Sequence, residues 1–432
     1  MTSRLTTLVL LLCLAASPAE AIWGDSRSGF GLDGSFRTIG LIARNGDSLA
    51  SLDGSESQDE SMQSILRLTA AGQPSSQIEY EIHLVGSLTA SSGSRIRLGR
   101  GFDLAGSKTR YRAVDDTVRW LSEDRSLGRM FLDRFNLEWS LGEIDLTVGR
   151  QAVTFGKAFF WKPLDVYLPF DPNQFDRDYK PGVDAARLDA YLGPFSGLTL
   201  LAVAGRDIDS DGEYRDEGPV IRASWFGSSL LARAFTTLAG WDLAVQGGKV
   251  YAGYQLGLGL VGEVGHVQLR GEAAQFLAQE SAPLPPPLDG DLHQDHLTAV
   301  LGCGRRFENT LDLQIEYLFN GAGEPRQDLD ASLVRLSRQA SLQMGRHFAG
   351  LTVSYELSPL TVGRLSIIQS LTDGSTQIQP ILDISLSDNT QIILGATLNR
   401  GERPSGNALA PQIESEFGAY PNLYFLELKA YF

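Results

Sequence analysis

Cysteine is nearly absent. Among 432 residues there are two, Cys13 and Cys303, and the first falls in what reads as a secretory signal. A single remaining cysteine cannot close an internal disulfide, so the fold must be held by other means. Positive charge is also short: 37 Lys and Arg against 52 Asp and Glu give a formal net charge of −15, which speaks against a nucleic-acid partner. After Ala21 no apolar run reaches the roughly 18 residues that a membrane-crossing helix needs. There is no haem-attachment motif. The glycines of "SSGSRIRLGRG" lack the strand-to-helix setting of a phosphate loop. No Ser/His/Asp set has credible spacing, so no enzyme is expected.

What is present begins with the signal. Arg4, the apolar stretch Leu8 to Ala16 and the small-x-small site Ala19-Glu20-Ala21 predict cleavage after Ala21, leaving Ile22 first. From there, period-two alternation recurs through the chain. In "QIEYEIHL", Gln77, Glu79, Glu81 and His83 oppose Ile78, Tyr80, Ile82 and Leu84. In "LDLQIEYLF", Asp312, Gln314 and Glu316 oppose Leu313, Ile315, Tyr317 and Phe319. In "HVQLRGEA", Gln268, Arg270 and Glu272 oppose Val267, Leu269 and Gly271. Each segment therefore has one polar and one apolar wall.

A dry sandwich core would not accept so many charges, whereas a water-filled lumen would. Segments of about ten residues, separated by turn residues, are the pattern of a transmembrane barrel. Short links occur at Pro74-Ser75-Ser76, Leu141-Gly142-Glu143, Gly193 to Gly197, Glu263-Val264-Gly265, Glu308-Asn309-Thr310, Ser358-Pro359 and Asp388-Asn389. Longer ones cover 44–61, 91–125, 156–181, 207–218, 280–295, 320–346 and 401–420. Short periplasmic turns alternating with long outer loops predict an all-β, closed antiparallel barrel of about 18 strands. A 16-stranded cut stays open, because 219–253 divides in more than one way.

Strand parity nominates pore-lining charges: Glu79, Glu81, His83, Glu138, Arg187, Asp189, Arg222, Arg270, Glu272, Asp312, Glu316 and Asp383. Acids outnumber bases, which predicts a weak cation preference; the plainer reading is a solvated wall with cross-strand pairs. Arg150 is added against its parity. Asp145, Thr147 and Gly149 would face the lumen, so Arg150 needs a bulge at Gly149 or a place at the outer rim.

Segment 156–181 carries Phe159, Phe160, Trp161, Tyr167, Phe170, Phe175 and Tyr179 among prolines. A loop that stayed in water would not need that apolar content, so it is expected to fold into the barrel mouth and narrow it. Its candidate constriction residues are Phe160, Trp161, Asp165, Phe170, Asp176 and Arg177. Here the chain resembles a known group. Gly149-Arg150-Gln151, Phe155-Gly156, Phe160-Trp161, Pro163, Asp165, Phe170, Pro172, Asp176-Arg177 and Pro181-Gly182-Val183-Asp184-Ala185 resemble a porin-like outer-membrane family. They are similar to alginate-export-type and related substrate-unassigned porins. The resemblance implies a 16- to 18-stranded channel with a loop folded inward after this motif.

Asp207, Asp209 and Asp211 before Gly212 match the start of a calcium loop. Position twelve is Gly218 rather than Glu, so the plainer reading is a solvated acidic loop. Calcium is the only cofactor this suggests. His293 and His296 with Asp291 and Asp295 read as an incidental surface cluster, and "PLPPP" at 283–287 as a stiff spacer.

The chain ends on "YFLELKAYF". Tyr424, Leu426, Leu428, Ala430 and Phe432 share one face, and Phe425, Glu427, Lys429 and Tyr431 the other. This strand is expected to close the barrel, with Phe432 resembling the signal read by the barrel assembly machinery. The expected function is passive diffusion of small hydrophilic solutes or ions across a bacterial outer membrane. Its lipid is one partner and a second copy of the chain is a candidate. A sheath around a partner such as a multihaem cytochrome and a polymer exporter are the rival functions, with a barrel hydrolase behind them.

Overall fold

The computed structural model describes residues 22–25, 29–44, 48, 57–93, 110–167, 178–206, 223–284, 286, 288–326, 329–407 and 410–432. The signal segment 1–21, Phe170, Asp176, Arg177, Arg222 and the Asp207, Asp209 and Asp211 loop lie outside the described residues.

Eighteen antiparallel strands form one closed ring. In chain order they are β1 (Phe30–Arg44), β2 (Gln58–Ser75), β3 (Ile78–Ser91), β4 (Ser126–Ser140), β5 (Ile144–Gln151), β6 (Val183–Gly193), β7 (Ser196–Val203), β8 (Ser229–Leu238) and β9 (Trp241–Val250). The second half is β10 (Gly253–Val264), β11 (Val267–Ala278), β12 (His296–Arg306), β13 (Asp312–Asn320), β14 (His347–Ser358), β15 (Thr361–Ser370), β16 (Thr376–Ser387), β17 (Thr390–Arg400) and β18 (Asn422–Tyr431). Each pairs with its neighbours in sequence. The ring closes where β18 meets β1, from Ser35 opposite Tyr431 to Arg44 opposite Asn422. Closure leaves this ring no open edge, which is what strands in lipid require. Two three- and six-residue strands, 23–25 and 118–123, extend the rims on β1 and β4.

The alternation read from the sequence is the inside–outside alternation of the wall. On β10, Tyr254, Leu256, Leu258 and Leu260 are exposed on the outer surface, while Gln255 is buried on the inner one. On β18, Tyr424 and Leu426 face out, and Phe425, Glu427 and Lys429 are buried within. Burial here does not mean a solid interior of strands. The core lies inside the ring, where outer loops fold down onto the wall.

The described part of the ambiguous stretch, 223–253, holds one hairpin and one tight outer link. β8 turns into β9 at Ala239-Gly240, with φ of 52° and 81°. Two positive φ values in a two-residue loop match the right-handed twist of a hairpin. β9 then passes to β10 through Tyr251-Ala252 alone, with Ala252 at φ 60°. Alanine at positive φ carries no turn signal in the sequence, which is why this region could be cut in several ways. The outer link 371–375 is also short, so the strict alternation of short turns and long loops fails twice. Loop 321–346 contains a helix, α1 (Leu329–Ser337).

Candidate functional site

Of segment 152–182, between β5 and β6, the described parts 152–167 and 178–182 turn inward. Its first limb packs on the inner wall along two patches. Phe155 and Tyr167 join Val183, Leu201, Leu231 and Val250. Phe160 and Trp161, 3% and 1% exposed, join Val300, Leu318, Phe348 and Ile368 of β12 to β15. Burial of each such aromatic side chain contributes about 2 kcal/mol. The wall is hollowed to receive them: a Cβ at Gly350 of β14 would sit 2.6 Å from the Phe160 ring, and one at Gly257 of β10 would overlap Leu164.

A non-helical segment taken out of water brings backbone N–H groups that need acceptors. Two wall carboxylates provide them. Glu272 of β11 accepts from the backbone of Lys157, of Ala158 at 2.7 Å and of Leu164 at 3.3 Å. Glu316 of β13 accepts from Phe159 and Phe160, both at 2.8 Å. Parity puts both acids on the inner wall as expected pore charges. The structure gives them to the loop instead, buried at 3% and 1% exposure.

The second limb is held by cations of the opposite wall. Asp178 accepts from Arg37 of β1 at 2.7 Å, and from Lys429 at 3.0 Å and Tyr431 at 2.8 Å of β18. Burial alone would raise the Asp178 carboxyl; Lys429 and Arg37 outweigh it and hold it below the usual range. The Tyr179 ring lies under the guanidinium groups of Arg67 and Arg37, 4.0 and 4.9 Å from its centre. Lys180 ties the limbs together, donating to the Val153 carbonyl at 2.6 Å and pairing with Asp165. Desolvation pushes the Asp165 carboxyl up and the Lys180 ammonium down, each opposed by its partner's charge. The loop is thus a strap across the lumen, hung from carboxylates on one side and from bases on the other.

A second buried knot supports it. Asp133 of β4 meets Arg67 at 2.8 Å, Arg112 at 3.0 Å and Arg134 at 3.0 Å, and accepts from Gly182 N–H at 3.2 Å. Burial, with Arg150 adding to it, draws the Arg112 guanidinium down to about 10. Asp133 is the extra residue of a bulge, where the partner of Leu84 is Leu132 and that of His83 is Arg134.

Arg150 does not line the open lumen. It is 6% exposed at the outer rim, bonded to Asp184 at 2.6 Å, Asp116 at 2.7 Å and the carbonyls of Leu132 and Val114. Gly149 before it has φ 118°, and a Cβ there would overlap the Phe135 carbonyl. The rim segment that covers it, 113–116, has no signal in the sequence.

The remaining nominated charges among the described residues lie on the inner face. Glu79, Glu81 and His83 share that face of β3, with Glu81 Oε1 2.8 Å from His83 Nε2. Glu138 accepts from Thr147 at 3.2 Å. Arg187 and Asp189 pair at 2.6 Å. Arg270 bonds Gln268 at 2.9 Å and also Gln314. Asp312 accepts from Gln314 at 2.7 Å, and Asp383 lies along β16 opposite Val362 and Ile393. A polar cavity of about 360 Å³ beside β3 to β6 brings Glu81, Glu138, Asp145 and Asp189 together with Arg134 and Arg187. The anchors Arg37, Arg67 and Arg134 were missed as site residues. Parity could have found the first two, but Asp133 and Arg134 sit at a bulge that parity cannot see. Phe432 continues the β18–β1 ladder, its N–H donating to Gly34 O at 2.9 Å and its O accepting from Gly34 N–H at 2.6 Å.

No family model matches the chain. No curated protein matches it by sequence. Solved structures do match in shape. OccK5 (OpdH) of Pseudomonas aeruginosa superposes with a TM-score of 0.53 at 11% identity, covering 95% of this chain and 99% of that one. OccAB3 of Acinetobacter baumannii gives 0.52 at 11% identity, covering 94% and 99%. The outer membrane protein OpdK of P. aeruginosa gives 0.51 at 10% identity, covering 94% and 100%. The fold is that of an outer-membrane porin. These structural relatives support the porin half of the sequence resemblance and not the alginate-export half.

Proposed function

We propose that this porin is a passive channel for small hydrophilic solutes, with a mild preference for cations. The observation that carries the reading is the inward strap, which crosses a closed ring between Glu272 and Glu316 on one wall and Arg37 and Lys429 on the other. A loop anchored in this way narrows the bore without sealing it by a separate domain. The cation preference is supported by the polar cavity on the periplasmic side, where Glu81, Glu138, Asp145 and Asp189 face Arg134 and Arg187. A strapped lumen leaves little room for a second polypeptide, which counts against a sheath for a multihaem cytochrome and against polymer export. The reading is of transport and not of catalysis.

Planar-bilayer recording of the purified protein tests this. Stable open steps, with a reversal potential in a potassium chloride gradient of the sign for cations, are expected. A silent barrel would refute the channel, and a reversal of the opposite sign would remove the cation preference.

A further inference from the structure

On the extracellular side of the strap lies a cavity of about 630 Å³, within the usual range of small-ligand sites. Its floor is the strap at 162–166, and Leu333 and Leu336 of α1 form part of its wall. Several buried polar groups open onto it. Arg110 is 6% exposed, lies 4.1 Å from the Tyr251 ring centre, and donates through Nη2 to the Arg338 carbonyl at 2.8 Å and to Gln339 Oε1 at 3.0 Å. Asp165 is 2% exposed, and its Oδ2 has no hydrogen-bond partner among the described residues. His293 is 8% exposed and makes ring contacts with Phe226 and Tyr251 at 6.0 and 5.9 Å. Burial, with the charge of Arg110 behind it, draws the His293 imidazole down to about 4, so at neutral pH it presents one donor and one acceptor.

The mixture of groups limits the ligand. An anion site converges donors alone, yet here the Asp165 carboxylate belongs to the same lining. A cation would meet Arg110 and Lys162. Neutral imidazole, a carboxylate and a guanidinium beside aromatic faces suit groups that both give and accept hydrogen bonds on an apolar ring. From this we infer that the cavity binds a short uncharged saccharide, of about two sugar rings, on its way to the strap. The inference rests on the channel reading for that route, but not for the binding itself.

The test is calorimetric titration of the detergent-solubilised full chain with maltose and with cellobiose, alongside benzoate and phenylalanine. The same sugars are then added to the outer side in bilayer recordings. Saturable heat with a disaccharide on the order of millimolar, and matching current block, are expected. His293→Phe removes one hydrogen-bonding ring and should weaken binding about tenfold. Ala340→Trp, which fills the cavity from its wall, should abolish it. Heat-shifted migration on a gel shows that each variant is folded. No heat with either sugar, heat with benzoate or phenylalanine alone, or undiminished affinity in folded Ala340→Trp would each overturn the site. A channel that never opens but still binds sugar would overturn the transport reading and leave the site standing.

Discussion

Phe432 and Gly34 show how much one missing Cβ can specify. The terminal ring lies over Gly34 so closely that a Cβ there would come within 2.7 Å of the ring's Cζ, and the two residues exchange backbone hydrogen bonds. Ring burial and the two bonds together contribute roughly 3 kcal/mol to holding the last strand on the first. Gly34→Val should therefore resemble deletion of Phe432. Both should lower the yield of folded barrel in the outer membrane severalfold, read by heat-shifted gel migration, while export to the periplasm continues. Equal yields of folded barrel from both variants and the parent would remove any assembly role for this contact.

Among elements, the strap depends on carboxylates more than on its own aromatics for position. Glu272 and Glu316 each satisfy several loop N–H groups in a dry setting, and bonds to a charged acceptor contribute about 1.5–3 kcal/mol each. Glutamine keeps the shape, loses the charge and turns an N–H toward an N–H in some rotamers. The double variant Glu272→Gln/Glu316→Gln should thus release the first limb. Single-channel recording should show larger and noisier steps; unchanged step size and noise would mean the loop is held by packing alone. Parity made most of this legible. The strands, their inner faces and the inner placement of both glutamates follow from a period of two, and the inward loop from its aromatic content. What parity cannot see is a change of phase: the bulge at Asp133, the positive φ at Gly149 before Arg150, and the alanines that turn at 239 and 252. Nor can it tell a solvated wall charge from one that a loop will claim, because that depends on contacts between residues more than a hundred positions apart.

For the whole molecule, the seam where β1 meets β18 is also where the second limb is tied. Asp178 draws on Arg37 from one side of that seam and on Lys429 and Tyr431 from the other. Asp178→Asn would take one counter-charge from two buried cations, Lys429 keeping Glu427 at 3.9 Å. Because Asp178 is itself 38% exposed, the loss is discounted to about 2 kcal/mol. The variant should convert to the unfolded gel form at a lower temperature than the parent, and an unchanged conversion temperature would show the seam to be indifferent to the strap. The place where Asp178 binds does not exist on any single strand; it comes into being when the first and last strands touch. A chain still open along that line offers Asp178 only half of its partners, so this one tie of the second limb is complete only when the circle is.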